Sequence, residues 1–378
     1  MNILITVGIF PPDIGGPASF VPKISDFLIK SGHNVQIICL SEEKNIYVED
    51  KLNVIRINRS NKLPIRWLKT TYQIIKNGRK SDLIFINGLG VEASLANLLL
   101  KKPTIRKIVG DPVWERAYNR KRIKESFDKF QNNKHSLMIE MQKLIRNWSI
   151  NSAKIIITPS DHLKGFVSEL GFKKEILKIN NGVEVTEIQR KTLDKPEINL
   201  IIVSRLVIQK NIDLVINALK ILNNVNLKLN IIGEGNEISK LEKVINDFNL
   251  HKQVKLLGKI DNNEISKFLS NSDIFIQASD YEGLPHSVLE AINYEVPILS
   301  TEAGGCKDLL NDGERGFIIS SPPNKNLIAE NIKFIINNKD EAIKRAVVAK
   351  TYISKEYNFL TQAKVYMEVI QKTVEMEL

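Results

Sequence analysis

The sequence predicts an α/β protein made of two doubly wound, Rossmann-like domains that face each other across a cleft. Its 378 residues exceed what a single hydrophobic core usually holds. In both halves, short β-branched runs alternate with amphipathic stretches, and glycine-rich turns join them. Near-continuous apolar strands separated by helices are typical of parallel sheets buried on both faces. Such sheets bind ligands at the carboxyl ends of their strands.

The strand predictions follow from the β-branched runs. The first half opens with a strand at 3–7, a loop at 10–17, a helix at 18–30 and a strand at 34–40, and this βαβ order requires a parallel sheet. Further strands of the first half are predicted at 53–57, 83–86, 105–109, 154–157 and 176–179. Those of the second half are predicted at 199–204, 227–232, 254–256, 274–277, 298–300 and 316–319.

The polar stretch 186–198, which contains Pro196, predicts the linker between the domains. We therefore expect one domain at 1–188 and a second at 189–356. A helix at 357–378 follows, and it could cross back to the first domain.

The composition predicts a protein without disulfides or bound metal. Cys39 and Cys306 are too few and too far apart for a disulfide framework, and no Asp-x-Asp, His-Glu-x-x-His or Cys/His cluster occurs. The opening residues lack a basic region before their short apolar run, so we expect no signal peptide. No apolar run reaches the ~18–20 residues of a spanning helix. We expect a reducing, cytoplasmic setting.

The net charge of +11 is concentrated in the first half. Residues 1–190 carry 31 Lys and Arg against 18 Asp and Glu, whereas residues 191–378 carry 23 against 25. The stretch 51–80 holds nine basic residues and no acidic one. This balance indicates an anionic partner: nucleic acid, acidic lipid or a phosphorylated substrate. A solvated basic surface is the alternative, and both remain open.

Two loops carry candidate phosphate-binding residues. In FPPDIGGPAS, Gly15 and Gly16 separate the first strand from the first helix, and without a Cβ they let backbone N–H groups approach an anion. In VSRLVIQKN, Arg205 and Lys210 follow the first strand of the second domain, where two cations suit a diphosphate. A tight turn and two surface cations are the respective alternatives.

Two carboxylates flank a predicted helix start in SDYEGLPHSVLEA, residues 279–291. Pro285 suits the first helical position, so Glu282 precedes the helix and Glu290 lies in its second turn. A carboxylate accepts hydrogen bonds from vicinal hydroxyls, as in ribose recognition. The pair therefore suits a ligand with a sugar and a ribose on either side of a phosphate. The alternative is that Glu282 caps the helix and Glu290 is a surface residue.

Two further strand ends carry weaker signals. Asp111, in VGDPVWE, follows the predicted strand 105–109 and would face the cleft. An Asp turn before Pro112 is the alternative. TEAGGCKD, 301–308, is another strand–glycine–helix junction and another candidate nest for an anion.

Taken together, these motifs resemble the retaining family 4 glycosyltransferases of the GT-B fold over nearly the whole chain. The first loop and helix, NNGVE at 180–184, VSRLVIQKN, IIGEGNE, EGLPHSVLEA and STEAGGCKD follow in that family's order and spacing. The family's Glu-x7-Glu pair corresponds to Glu282 and Glu290. The resemblance implies a transfer of a sugar from a UDP- or GDP-type donor to a glycan or lipid-linked acceptor, in cell-surface polysaccharide or glycoconjugate synthesis.

The resemblance also implies roles for the domains and residues. The first domain would bind the acceptor and the second the donor. Arg205 and Lys210 would hold the diphosphate, Glu290 the ribose and Glu282 the donor sugar. Gly283, Leu284 and Pro285, between the two glutamates, would complete the donor site, and Gly15 and Gly16 would approach the diphosphate from the opposite domain.

The implied mechanism is a front-face attack without a metal, because Arg205, Lys210 and backbone N–H groups can stabilise the departing diphosphate. Many family members have a histidine near positions 110–112, where this chain has Gly110-Asp111-Pro112. Asp111 could orient the acceptor hydroxyl, stabilise positive charge on the sugar ring or act as a nucleophile. The identity of the sugar stays open.

Two other functions compete. A nucleotide-sugar epimerase of the same shape would need no acceptor, whereas the basic first half suits an anionic acceptor or the cytoplasmic face of a membrane. A non-enzymatic nucleic-acid-binding protein would leave the cations and carboxylates of the second half without a role. We therefore expect a peripheral membrane transferase with no bound cofactor and no nucleic-acid partner.

Overall fold

The computed structural model describes residues 1–13, 15–42, 52–187 and 196–376, and of residues 262 and 263 only the backbone. Most of the predicted linker, 188–195, lies outside the described residues. The chain forms two compact units. The first comprises Met1–Val113, Lys134–Gly182 and Leu360–Leu378, and the second comprises Trp114–Asn133 and Val183–Phe359. No sequence pattern predicted that residues 114–133 would pack with the second unit.

The first unit contains a seven-stranded sheet in the order β3-β2-β1-β4-β5-β6-β7, with every strand parallel to its neighbours. The predicted strands are confirmed with end shifts of about one or two residues. Their bounds are β1 Asn2–Val7, β2 Asn34–Ser41, β3 Asn53–Asn58, β4 Leu83–Asn87, β5 Thr104–Lys107, β6 Ile155–Thr158 and β7 Glu175–Lys178. Residues along β4 and β6 are all buried, which explains why every residue of these strands except the last is apolar.

Helices cover this sheet, and their labels follow the chain. They are α1 Gly16–Lys30, α2 Leu63–Gly78, α3 Gly90–Leu100, α6 Leu137–Asn151, α7 Asp161–Glu169 and α15 Phe359–Glu375. α1 starts two residues earlier than predicted because Gly15 takes the position before the helix, with φ of 148°, and Pro17 fits the first turn.

The second unit contains a six-stranded parallel sheet in the order β10-β9-β8-β11-β12-β13. Its strands again match the predicted ones: β8 Ile198–Val203, β9 Leu227–Ile232, β10 Val254–Gly258, β11 Ile274–Gln277, β12 Ile298–Thr301 and β13 Phe317–Ile319. Two apolar clusters pack against it, one that includes α8 and α13 and one that includes α11 and α14.

The helices of the second unit include two short ones from residues 114–133. They are α4 Pro112–Asn119, whose first two residues lie in the first unit, α5 Phe127–Asn132, α8 Ile212–Leu222, α9 Ile238–Asp247, α10 Asn262–Asn271, α11 His286–Asn293, α12 Gly305–Leu310, α13 Lys325–Asn337 and α14 Lys339–Glu356.

The strand order reverses once in each sheet. In the second sheet β8 lies between β9 and β11, so the chain leaves β8 in one direction and β11 in the other. A crevice forms at the carboxyl ends of two such strands, and ligands of doubly wound sheets bind there. The residues after β8 and after β11 are therefore the first place to look for a site.

Candidate active site

Lys210 and Glu282 form an ion pair at this switch point of the second sheet. Lys210 ends the short 3₁₀ turn Ile208–Lys210 after β8, and Glu282 lies in the loop between β11 and α11. Each side chain is only 11% exposed, so the pair is largely shielded from water. The sequence analysis singled out both residues for a ligand, and the structure brings them into direct contact.

The carboxylate of Glu282 is held by two further donors. The Gln277 side-chain amide donates to Glu282 Oε1 over 2.5 Å, and the Ser279 hydroxyl donates to the same oxygen over 2.6 Å. The N-cap residue of α11 is Pro285, and within the described residues Glu282 is bonded to Lys210, Gln277 and Ser279, which gives no support to the alternative of Glu282 as a hydrogen-bonded cap. Three donors on one oxygen fix the direction of the side chain, a requirement for positioning a substrate.

A second carboxylate network supports the same loop. The Asn211 side chain donates to Asp280 Oδ1 over 2.8 Å and to the Ala278 carbonyl over 3.0 Å, and Tyr118 Oη donates to Asp280 Oδ2 over 2.6 Å. Burial raises the pKa of Asp280, the hydrogen bonds from Tyr118 and Asn211 oppose that rise, and the nearby charge of Asp213 adds to it. The network joins the loop after β8 to the loop after β11.

Arg205 lies closer to solvent than Lys210. Its side chain is 51% exposed, and its Nη2 donates to Glu115 Oε2 on α4 over 3.4 Å. An exposed guanidinium at a strand's carboxyl end can receive an anionic ligand.

Glycine backbones hold the two site loops close together. A Cβ on Gly304 would lie 1.8 Å from the carbonyl oxygen of Glu282, and φ of 52° with ψ of −126° also disfavours a side chain there. The amide of Gly305 donates to that carbonyl over 3.1 Å. The glycine junction at 301–308 therefore packs against the Glu282 loop and hydrogen-bonds to it. The sequence analysis predicted an anion site at this junction and not this contact.

The remaining predicted donor residues follow Glu282 along the chain. Gly283, Leu284 and Pro285 are buried and lead into α11, which starts at His286, one residue later than predicted. Glu290 lies in the second turn of α11, as predicted, and is half-buried.

The other predicted site residues lie in the first unit. Gly15 and Gly16 form the start of α1, and a Cβ on Gly15 would lie 2.8 Å from Ile9 Cδ1. The amide of Ser19 donates to the Gly15 carbonyl over 3.0 Å, so the helix is formed from its first turn.

Asp111 differs from the prediction that it faces a cleft. Its side chain is completely buried, forms an ion pair with Arg146 of α6 and accepts a hydrogen bond from the Val113 amide over 2.9 Å. This contact caps the start of α4, which supports the structural alternative. Any role of Asp111 toward a substrate stays a prediction.

Neither cysteine has the character of a nucleophile. Burial raises the pKa of Cys39 to about 11 and that of Cys306 to about 12, where the charge of Glu282 contributes as well. Among the described residues, no group of three or more His, Cys, Asp or Glu side chains could hold a metal ion. The described part of the chain also contains no helix long and apolar enough to cross a bilayer.

Two family models match the chain in succession. The model of Glycosyltransferase Family 4 matches residues 14–187, and that of Glycosyl transferases group 1 matches residues 184–352. The chain belongs to the group 1 glycosyltransferases. The second model covers the whole switch point with Arg205, Lys210, Glu282 and Glu290. The predicted family, fold class and enzyme class are therefore confirmed, as two parallel-sheet α/β units of a glycosyltransferase.

Similar proteins agree with this assignment. An uncharacterized glycosyltransferase of Methanocaldococcus jannaschii is 30% identical over 266 residues, which cover 67% of this chain and 65% of the relative. The amylovoran biosynthesis glycosyltransferase AmsK of Erwinia amylovora is 27% identical over 45% of this chain and 43% of the relative. The chain thus spans less than two thirds of the length of these curated relatives. The crystal structure of Anabaena HepE in complex with UDP and glucose has a TM-score of 0.80 at 17% identity, over 98% of this chain and 100% of HepE.

Several residues of the site were not predicted. Gln277 and Ser279 orient Glu282, and Asn211 and Tyr118 hold Asp280. Ser279 and Asp280 lie inside the stretch that was singled out, and Gln277 is a polar residue at the end of an apolar strand, which is a usable signal. Tyr118 had none, because it is 162 residues away from its partner in sequence.

Proposed function

We propose that the chain transfers a sugar from a UDP- or GDP-type donor to a glycan or lipid-linked acceptor and retains the anomeric configuration. The Lys210–Glu282 pair at the carboxyl ends of β8 and β11 carries this proposal. It places a cation and a well-oriented carboxylate side by side, and a nucleotide sugar has a diphosphate next to sugar hydroxyls.

The donor would extend along the loops of this switch point. Arg205 and Lys210 would bind the diphosphate, together with the backbone of Gly283–Pro285 before α11. A lysine ammonium has three donors, so Lys210 can hold Glu282 and a phosphate oxygen at once. Glu282 would bind hydroxyls of the sugar and Glu290 those of the ribose. The UDP and glucose in the HepE structure support a donor of this kind.

The start of α1 is a second candidate for phosphate binding. Gly15 and Gly16 lie at a helix N-terminus, where backbone N–H groups suit a phosphate, and we propose this role for them. Asp111 is completely buried, so we propose that it acts only through α4, the helix that it caps.

The reaction would proceed on one face of the sugar. The bond between the anomeric carbon and the phosphate oxygen breaks, the acceptor oxygen bonds to that carbon from the same side, and the departing phosphate oxygen takes the acceptor proton. The positive charges of Arg205 and Lys210 would stabilise the leaving diphosphate, so we propose that no metal is required.

Transfer from a panel of UDP and GDP sugars to glycan and lipid-linked acceptors tests this function. NMR of the product should show the anomeric configuration of the donor, and EDTA should leave the rate unchanged. An inverted product contradicts retention, and a reversible loss with EDTA contradicts the metal-free reaction. Conversion of the sugar nucleotide alone into an isomer would favour an epimerase.

An exposed apolar surface on the first unit supports a membrane-linked acceptor. α3 packs against both α2 and α6. All three helices expose large apolar side chains, and we call these the apolar face: Leu63, Ile65, Leu68 and Tyr72 on α2, Leu95, Leu98 and Leu99 on α3, and Leu137, Met138, Met141, Leu144, Ile145 and Trp148 on α6. Several are more than half exposed, which is costly in water unless something covers them.

We propose that an anionic bilayer covers the apolar face. Exposed cations, among them Lys62, Lys69, Lys76 and Lys101, accompany the apolar side chains on or beside these helices. Each lysine contributes about 1 kcal/mol to binding when it lies near an anionic surface. Salt screens this attraction beyond ~8–10 Å. Apolar side chains with flanking lysines are typical of helices that lie in a membrane interface.

Vesicle sedimentation tests this surface. The chain should bind vesicles with acidic lipid at low salt and less at high salt, and Leu68→Glu or Leu144→Glu should reduce binding. Val225→Glu is the matched control, because Val225 is 75% exposed in the second unit. Equal partitioning of all variants would contradict the proposal that a bilayer covers the apolar face. Concentration-dependent dimerisation through the apolar face without vesicle binding would contradict it as well.

A further inference from the structure

Residues 114–133 contact both groups that the proposed function assigns to the donor. They follow β5 of the first sheet in sequence but belong to the second unit. Glu115 pairs with Arg205, and Tyr118 donates to Asp280, two residues before Glu282. One short segment thus reaches the loop after β8 and the loop after β11.

An aromatic cluster fixes this segment to the loop of Glu282. Phe127 stacks on Tyr281 with ring centroids 4.0 Å apart and an interplanar angle of 6°. Trp114 packs edge-on against Tyr281 at 5.4 Å and stacks on Tyr118 at 4.9 Å. Trp114, Phe127 and Tyr281 are all buried. Glu115 directly follows Trp114, which packs on Tyr281 of the site loop, so this packing fixes the backbone position of Glu115.

We infer that Glu115 is an internal competitor of the donor diphosphate. This rests on the proposed function, in which Arg205 binds the diphosphate. The Glu115 carboxylate accepts from Nη2 of Arg205 in the structure. A phosphate that binds Arg205 must therefore displace this carboxylate or lie beside its negative charge, and both oppose binding. Arg205 is 51% exposed and Lys210 only 11%, so Glu115 acts on the cation of the site that is more open to a ligand.

The strength of the Arg205–Glu115 pair sets how much Glu115 weakens UDP binding. Arg205 is 51% and Glu115 30% exposed, and pairs this open to water contribute about 0.2–1 kcal/mol. Since about 1.4 kcal/mol is tenfold in affinity, Glu115→Gln should tighten UDP binding about 1.4- to fivefold. The gain should shrink at high salt, because the competing pair and the phosphate contact are both screened.

A double-mutant cycle with UDP as the probe tests this inference. Calorimetry on the full chain should show tighter binding to Glu115→Gln and no such gain in the Arg205→Ala background. Asp128→Asn is the matched control, because Asp128 is an exposed acid on α5 of the same segment.

Each result decides one question. Equal or weaker binding by Glu115→Gln overturns the competition, and so does the same gain in Arg205→Ala or in Asp128→Asn. Gln has the shape of Glu, and a thermal melt that matches the wild type shows that the segment stays folded. If the wild-type chain binds no UDP or GDP at any salt concentration, the proposed donor function fails instead.

Discussion

Replacing Glu282 by alanine should destabilise the second unit as well as stop transfer. The substitution leaves the Lys210 ammonium 11% exposed with no carboxylate, and removes the acceptor of Gln277 and Ser279. Breaking one side of a shielded ion pair costs about 3–5 kcal/mol. A domain of this size loses about 2–4 °C per kcal/mol, so its melting temperature should fall by roughly 6–20 °C.

Scanning calorimetry measures this loss, and a second substitution tests its cause. The double variant Glu282→Ala with Lys210→Met has no unpaired charge, so it should melt above Glu282→Ala alone. Glu330→Ala, at an exposed position of α13, should melt with the wild type. A Glu282→Ala chain that melts within about 2 °C of the wild type, or a double variant with additive losses, would refute the reasoning. Glu282→Gln keeps the shape and is the better variant for measuring the loss of transfer, about 10²–10³ in kcat.

Three further outcomes are expected. Arg205→Ala and Lys210→Ala should each weaken UDP binding by roughly 1.5–3 kcal/mol in calorimetry, and an unchanged affinity would remove them from the diphosphate site. Burial raises the pKa of Asp280 above its ordinary 3.8, so the folded chain binds the carboxyl proton more tightly than the unfolded chain does. The free energy of unfolding should therefore fall as the pH rises from 3.8 through the folded-state pKa. The hydrogen bond from Tyr118 lowers the pKa of Asp280, so Tyr118→Phe should raise it further. In thermal melts the loss of stability should then continue to higher pH than in the wild type, and identical pH profiles would contradict the contact. Gly304→Ala should lower the melting temperature and donor affinity, whereas Gly165→Ala, where a Cβ meets open space, should lower neither.

Much of the fold was readable from the sequence because it depends on local patterns. β4, β6, β11 and β12 are buried along their whole length, so each begins with an apolar run and carries polar residues only at its carboxyl end. The candidate site was readable for a related reason: parallel sheets bind ligands at strand ends, and Arg205, Lys210 and Glu282 follow strands that the sequence predicted.

The rest depends on contacts between residues far apart in sequence. Asp111 follows a strand like the other candidates, but its side chain is completely buried and its partner Arg146 is 35 residues away in sequence. The packing of Trp114 on Tyr281 attaches residues 114–133 to the second unit, and neither tryptophan nor tyrosine signals such a partner in a linear pattern. Local propensity cannot supply these pairings, because they are selected by tertiary packing.

A crystal structure of the chain with bound UDP tests the central claim most directly. We expect the diphosphate at the carboxyl ends of β8 and β11, with its oxygens within hydrogen-bond distance of Arg205 and Lys210 and the ribose hydroxyls at Glu290. A nucleotide bound elsewhere, or a switch point that stays empty at millimolar UDP and GDP, would contradict the account.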